Sequence, residues 1–296
     1  MEQTFNKICV YPHSGKIQDP DDQIHEVIGA IRVFGDGYTP IVKKSAADKR
    51  TLFVSVGGDG TMLKAAKEAV KHRAATLGIN LGNLGFLTDF DAYNEPLYGG
   101  VDPDPSKRCL TELLDDILYN RDGVYLDKRL ILQGYRKFIV GKRKKHLAVN
   151  EFLIAFEESM RGMLEYDIYA SGRFVARQSA SGVIIATPTG STAFSLSVGG
   201  PIISPRSNSI LVVPIAAHTL TSRPIIVSGV RDTIEIRAKN KPGRSIKLYA
   251  DDKVVDSTTD DEFIVQIKPH NVMARFWHRK DWNFFDVLSA KMKWGE

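Results

Sequence analysis

The sequence predicts a two-domain chain: an N-terminal α/β domain with a parallel, Rossmann-like sheet, then an all-β domain. Three observations predict it. Short apolar runs alternate with helical periodicity over the first 122 residues, which argues for parallel strands joined by crossover helices. From residue 123 to about 274 there is no long amphipathic helix, and short β-rich runs follow one another between Gly, Asn and Ser turns. Residues 284–294 then return to a helical pattern through Phe284, Phe285, Val287, Leu288 and Met292. The domains are therefore set at 1–122, with the tail 277–296 packing back on it, and 123–276. A length of 296 residues fits two domains.

In order, 7–11 reads as a first strand. The turn Pro12-His13-Ser14-Gly15 behind it lacks the G-x-G-x-x-G of dinucleotide folds. Residues 21–34 carry Ile24, Val27, Ile28, Ile31 and Val33 at helical spacing, and Gly35-Asp36-Gly37 is expected to end that helix. A second strand is expected over 39–43 and a third, buried one over 52–56. Gly57-Gly58-Asp59-Gly60-Thr61 comes next, followed by a helical pattern over 62–72. A strand, a glycine turn and a helix leave backbone N–H groups free to hold a phosphate, and glycines let a ligand approach the backbone. Asp59 is the odd residue: an anion at a phosphate site repels the ligand unless it binds a metal or accepts a proton. On its own the stretch reads equally well as a plain turn, since Asp and Gly both suit turn geometry.

Residues 76–80 read as the next strand. A second glycine-rich turn follows, Asn80-Leu81-Gly82-Asn83-Leu84-Gly85-Phe86-Leu87-Thr88-Asp89, with Phe86 and Leu87 as an apolar ledge. Ligands gather at the carboxyl ends of parallel strands, where both turns stand. Residues 93–108 form a loop, and 110–119 a short amphipathic helix. The β-rich runs beyond are 129–135, 137–140, 151–156, 164–170, 173–176, 182–186, 210–214, 224–228, 233–237, 245–250 and 262–267. Asn150-Glu151 opens one of them, and an amide beside a carboxylate offers donors and acceptors to sugar hydroxyls. The apolar run 182–186 leads into Thr187-Pro188-Thr189-Gly190-Ser191-Thr192 and a short helical segment, 193–198. Hydroxyls and free N–H groups at one point make a nest suited to a ribose or a phosphate.

Composition excludes several classes. With 43% hydrophobic and 25% charged residues and no long biased tract, the chain is globular. A net charge of +5 fits an anionic small substrate as well as nucleic acid. The basic run 142–145 reads as a hairpin tip, because no aromatic residues interleave it for base stacking. Cys9 and Cys109 match no metal spacing and read as thiols in a reducing compartment. The N-terminus lacks a signal-peptide core, and no apolar run approaches the ~20 residues that span a bilayer. The expectation is a cytoplasmic protein with neither membrane nor nucleic-acid partners.

The combination of Gly57-Gly58-Asp59-Gly60-Thr61, the 80–89 turn, Asn150-Glu151 and Thr187-Pro188-Thr189-Gly190-Ser191-Thr192-Ala193-Phe194 resembles the NAD kinase family. The stretch 211–224 with His218 and Arg223, then Asp251 and the tail 284–294, are similar as well. The resemblance implies an α/β and a β domain with the active site between them. It also implies phosphoryl transfer from ATP, or polyphosphate, to the 2′-hydroxyl of the adenosine ribose of NAD, giving NADP. A divalent cation, Mg²⁺ or else Mn²⁺, accompanies the donor, and no protein residue is assigned to it as a ligand. Homodimers or homotetramers are implied, a neighbouring subunit completing the NAD site. By the same resemblance Asp59 is the catalytic base, and Gly57, Gly58, Gly60 and Thr61 line the nucleotide. Asn150 and Glu151 hold the nicotinamide ribose, Phe86, Thr192 and Ala193 line the adenine side, and Asp251 stands near the phosphates and ribose. Thr189, Ser197 and Ser181 complete the binding set.

Three positions depart from the family pattern. Ser181 replaces an Asp that normally contacts NAD, Phe194 replaces a Tyr, and Asp252 adds negative charge. Two other readings stand beside the kinase of NAD. One is a lipid or sugar kinase sharing the glycine-aspartate turn. The other is a non-catalytic NAD(P)-binding sensor, motivated by Ser181 and Phe194.

Overall fold

The computed structural model describes residues 3–12, 24–82, 85–92, 109–137, 144–157, 162–218 and 221–293. The turn 13–15, Asn83 and Leu84, the loop 93–108, residues 138–143 and Trp294 lie outside them. The chain divides into two compact units, Met1–Lys128 with Ala274–Glu296, and Arg129–Met273.

The first unit opens with β1 (Lys7–Pro12), α1 (Ile24–Tyr38), β2 (Thr51–Val56), α2 (Asp59–His72), β3 (Ala75–Asn80), β4 (Phe90–Asp91), α3 (Leu110–Tyr119) and β5 (Val124–Arg129). The second unit supplies β6 (Leu132–Arg136), β7 (His146–Ala148), β8 (Glu151–Phe156), β9 (Leu164–Ala170), β10 (Arg173–Ala180), β11 (Gly182–Ala186) and the short α4 (Phe194–Ser197). It continues with β12 (Ser209–Ile215), β13 (Ile225–Ser228), β14 (Ile234–Lys239), β15 (Ile246–Ala250), β16 (Lys253–Thr258) and β17 (Glu262–Pro269). The chain then returns to the first unit with β18 (Ala274–Arg279) and α5 (Phe284–Met292).

The first unit is built on a sheet ordered β1-β2-β3-β18-β5, with β4 also on β3. The pairs β1–β2, β2–β3, β3–β18 and β3–β4 are all parallel. β2 is buried at every residue, so its sequence is apolar without alternation. Its two faces feed two cores. Leu52, Val54 and Val56 meet Val27 and Ile31 of α1 and Leu114 and Ile117 of α3, whereas Phe53 meets Ala69 of α2 and Cys9 of β1. Cys109 caps α3, its Sγ accepting the Glu112 N–H.

Four expectations need correction here. The first helix does not stop at Gly35; it runs through Gly35, Asp36 and Gly37 to Tyr38. Gly35 lies close under Ile41 Cγ1, so tertiary packing outweighs the roughly 1 kcal/mol that a helical glycine costs. The expected strand 39–43 is a single bridge, Ile8 with Ile41, because Pro40 brings no N–H donor and a 3-10 turn, Lys44–Ala46, follows at once. α2 begins at Asp59 rather than Met62. The run 129–135 is cut at Leu130-Ile131, where the chain leaves the first sheet for the second unit.

The second unit is two six-stranded antiparallel sheets, ordered β10-β9-β14-β17-β6-β7 and β13-β12-β11-β8-β15-β16. Phe152, Ile154, Val183, Ile185 and Val212 of one sheet share a core with Tyr166, Ile168, Ile236, Val265 and Ile267 of the other. The outer face of β11 and β12, Ile184, Ala186, Leu211 and Val213, is covered by Phe194, Val198 and Ile203. That cover fixes the segment after β11 against the sheet. Among the described residues no helix is long and apolar enough to cross a membrane.

Candidate functional site

In the first unit the chain leaves β2 through Gly57 at φ +147°, a region that favours glycine. The Gly57 N–H donates to Ile79 O at 2.8 Å, which pins the turn to the end of β3. Gly58 caps α2 without a side chain, and Asp59 is the first helical residue. Its carboxylate reaches the second glycine turn: the Phe86 N–H donates to Oδ2 at 2.9 Å and the Leu87 N–H to Oδ1 at 3.1 Å. Gly85 permits this approach, since a Cβ there would collide with Asp59 Oδ1. Among the described residues, a Cβ on Gly58, Gly60 or Gly82 would meet nothing within 4 Å.

The result is a half-buried carboxylate, fixed by one N–H on each oxygen, beside open space at a helix N-terminus. The positive end of α2 favours a phosphate there, and each carboxylate oxygen keeps a second lone pair that can accept a proton. Thr61 is buried in the first turn of α2, with its N–H on Gly58 O at 2.9 Å. The Phe86 ring packs beside Phe284 of α5, centroids 6.2 Å apart, with Lys291 Nζ 4.7 Å over it.

The second unit gathers its candidates at one end of a sheet. Glu151 opens β8 opposite Ala186, the last residue of β11, and Ala250 ends β15 opposite Phe152. Asn150-Glu151, the segment from Thr187 onward, and Asp251 therefore emerge side by side. Asp251 sits at φ +53° and turns its carboxylate back on the chain. Oδ1 accepts the N–H groups of Asn150 at 2.8 Å and Glu151 at 3.3 Å, and Oδ2 that of Val149 at 3.2 Å. Thr187 ties the neighbouring turn to the same backbone: its N–H donates to Asn150 O at 2.8 Å, and its hydroxyl donates to Val149 O at 2.7 Å. Gly190 lies so close to Asn150 that a Cβ would strike that residue's carbonyl.

Glu151 is 7% exposed, and its Oε2 has no hydrogen-bond partner among the described residues. Burial, and then the neighbouring Asp251 carboxylate, push its pKa up to about 8. Glu151 thus carries its proton at neutral pH and presents a buried O–H donor. Thr189 Oγ1 is likewise buried without a partner. The arrangement can offer donors to sugar or amide oxygens from a rigid frame.

Other expected residues lie as follows. Thr192 is half-buried, with its hydroxyl on Thr189 O at 3.3 Å, and the half-buried Ala193 donates its N–H to Gly190 O at 3.0 Å. Ser197 is exposed at the end of α4. Ser181 is not with this group. It precedes β11, at the end opposite Thr187, with its N–H on Ile215 O at 2.8 Å. Six residues of extended chain span roughly 20 Å, so within one copy Ser181 is remote from Glu151 and Asp251. His218, exposed, donates its N–H to Ser179 O near that remote end. Sequence reading assigns no role to Gly85, Thr187 or Gly190, although all three stand in the quoted motifs. The glycines were the available signal.

Comparison with known proteins decides the family. Residues 21–96 match the ATP-NAD kinase N-terminal domain and residues 149–274 the ATP-NAD kinase C-terminal domain. An NAD kinase from Photorhabdus laumondii is 34% identical over 277 residues, which covers 93% of this chain and 86% of that protein. The chain belongs to the NAD kinase family. A second NAD kinase, from Photobacterium profundum, is 36% identical over 248 residues, covering 83% of this chain and 78% of that protein. Among solved structures, the NAD kinase fold seen here matches a yeast NADH kinase complexed with NADH at a TM-score of 0.78, with 20% identity over 99% of this chain and 89% of that one. It also matches an NAD kinase from Archaeoglobus fulgidus in complex with ATP, at a TM-score of 0.67 and 22% identity over 97% of this chain and 98% of that one. The two-domain NAD kinase fold, a parallel α/β domain and a domain of antiparallel sheets, is the one expected from the sequence.

Proposed function

We propose that this chain transfers the terminal phosphoryl group of ATP to the 2′-hydroxyl of the adenosine ribose of NAD, giving NADP. Family membership supplies the substrates. The single observation that carries the chemistry is Asp59, held on two backbone N–H groups beside the open N-terminus of α2. A ribose hydroxyl is a poor nucleophile at neutral pH, and a fixed carboxylate within reach accepts its proton as the new bond forms. The rest of the work is alignment and charge neutralisation. Gly57, Gly58, Gly60 and Thr61 make room and N–H groups for phosphates. Asn150, Glu151, Thr189 and Asp251 hold the riboses and the nicotinamide side, and Phe86, Thr192 and Ala193 line the adenine.

Among the described residues no group of three or more His, Cys, Asp or Glu is set to hold a metal ion. By the family resemblance a divalent cation, Mg²⁺ or Mn²⁺, would arrive on the donor's phosphates and neutralise their charge. The working form is a cytoplasmic homodimer or homotetramer, which light scattering tests. Its relatives do not favour a lipid or sugar kinase, nor a non-catalytic sensor. The deciding experiment is a coupled NADP-formation assay with ATP and polyphosphate side by side. Product from either donor is expected. NAD binding by calorimetry with no product under any donor or metal would instead identify a sensor.

A further inference from the structure

The turn that holds Asp59 is itself held. Phe86 and Leu87 give their N–H groups to Asp59. Asp89, two residues further on, has a carboxylate only 2% exposed. It accepts His278 Nδ1–H at 2.6 Å and the Arg279 N–H at 2.9 Å, both from β18. The His278 side chain is fully buried, with Trp282 stacked on one face at 4.0 Å and 13°. Its Nε2 lies 3.9 Å from Asp127 Oδ2, and the rings of Tyr125 and Phe276 flank it at 5.6 and 6.4 Å. A ring boxed in this way has one orientation, so Asp89 has one position. On its other side the turn presses on β3, where a Cβ on Gly78 would come within 2.9 Å of Leu87 O.

We infer that His278 is a positioning residue for Asp59, acting through Asp89 and the backbone of the turn 85–89. The inference rests on the reading of Asp59 as base. One residue separates Asp89 from Leu87 and two separate it from Phe86, so a shift at Asp89 reaches the N–H groups that aim Asp59. Misplacing a reacting group by about 1 Å costs on the order of 10²-fold in rate. A purely structural cluster would change stability and leave turnover of the folded protein alone.

The test uses the full chain, with kcat and KM measured for NAD and for ATP. His278→Leu removes the donor; His278→Asn returns an amide N–H near the Nδ1 position. We expect His278→Leu to lower kcat about 10- to 100-fold, with both KM values within about twofold, and His278→Asn to recover most of that loss. In an Asp59→Asn background, with NADP accumulated over long incubations, His278→Leu should cost nothing further, because its effect runs through Asp59. Unchanged kcat in folded His278→Leu would overturn the inference. So would a loss confined to KM, or an undiminished loss in the Asp59→Asn background. Should His278→Leu not fold, Asp89→Asn carries the same comparison, and failure of both to fold would make the cluster a stability element only. No NADP from the unmodified chain would overturn the function itself, a different result from any of these.

Discussion

Asp59 and Asp251 look alike as chemistry and differ in what surrounds them. Each is an aspartate that follows a strand and accepts backbone N–H groups from a neighbouring segment: two for Asp59 and three for Asp251. Asp59 faces open space at the start of a helix, where a Cβ on Gly58 or Gly60 meets nothing among the described residues. Asp251 sits in a left-handed turn, beside a buried acid, with its oxygens on the backbone that starts β8. The first arrangement fixes a carboxylate and leaves it available. The second uses a carboxylate to fix the backbone, and hands the unpartnered oxygen to Glu151. The same N–H acceptor is therefore read as catalytic in one unit and as framework in the other.

The largest expected effect tests that division directly. Asp59→Asn should lower kcat by about 10²- to 10⁴-fold, the range general-base removal spans, with thermal stability changed little. Turnover within tenfold of the unmodified chain would rule Asp59 out as base. Next, Gly85→Ala should push the Asp59 carboxylate off its N–H donors, because the added Cβ strikes Oδ1. A loss of about 10²-fold in kcat is expected, with KM for NAD nearly unchanged. Gly29→Ala in α1, outside the site, where the added carbon meets nothing among the described residues, is the control for glycine-to-alanine effects.

Asp251→Asn should behave in the opposite way. It leaves at least one buried N–H poorly satisfied, which costs about 1–3 kcal/mol. The activity change should sit in KM for NAD, at about tenfold, with kcat held within a few-fold. Urea unfolding and steady-state kinetics on the same preparation measure both. A fall in kcat like that of Asp59→Asn would erase the distinction between the two aspartates.

How much of this was legible in the sequence depended on whether the cause was local. β8, β9 and β11 were read with their observed limits, because burial on one or both faces writes itself into consecutive residues. β18 was not read as a strand. Arg275, His278 and Arg279 interrupt its apolar pattern, yet it pairs with β3 and carries the anchor of Asp89. The strand expected over 39–43 failed for the converse reason: its residues suit a strand, but Pro40 and the following turn leave it one bridge. Asp59 stood out as a lone acid among glycines. Phe86 and Leu87 stood out as an apolar ledge but not as partners of Asp59, since a contact over 27 or 28 residues leaves no periodic trace. Ser181 is instructive in another way. Counting along 182–186 puts it a full strand away from Thr187, and only the family resemblance had placed it in the set.

The smallest effect on activity, and the finest test of the comparison, comes from Glu151. Its pKa rises from an ordinary 4.5 to about 8 on folding, through burial first and Asp251 second. Between these values the folded chain keeps a proton that the unfolded chain has lost, so stability falls as pH rises from about 4.5 to about 8 and is flat above. At 1.36 kcal/mol per unit the full span would approach about 5 kcal/mol, and relaxation around the acid reduces this to about 2–4 kcal/mol. Glu151→Gln has no such titration. Its stability relative to the unmodified chain should therefore climb by that amount between pH 4.5 and 8.5, as followed by urea unfolding at three pH values. Its turnover at pH 7 should stay within a few-fold, because a glutamine N–H replaces the acid's O–H. A pH-independent difference would mean that Glu151 is already charged in the folded protein. The second unit would then hold its acids as the first holds Asp59, and the contrast between an available carboxylate and a framework one would rest on Asp251 alone.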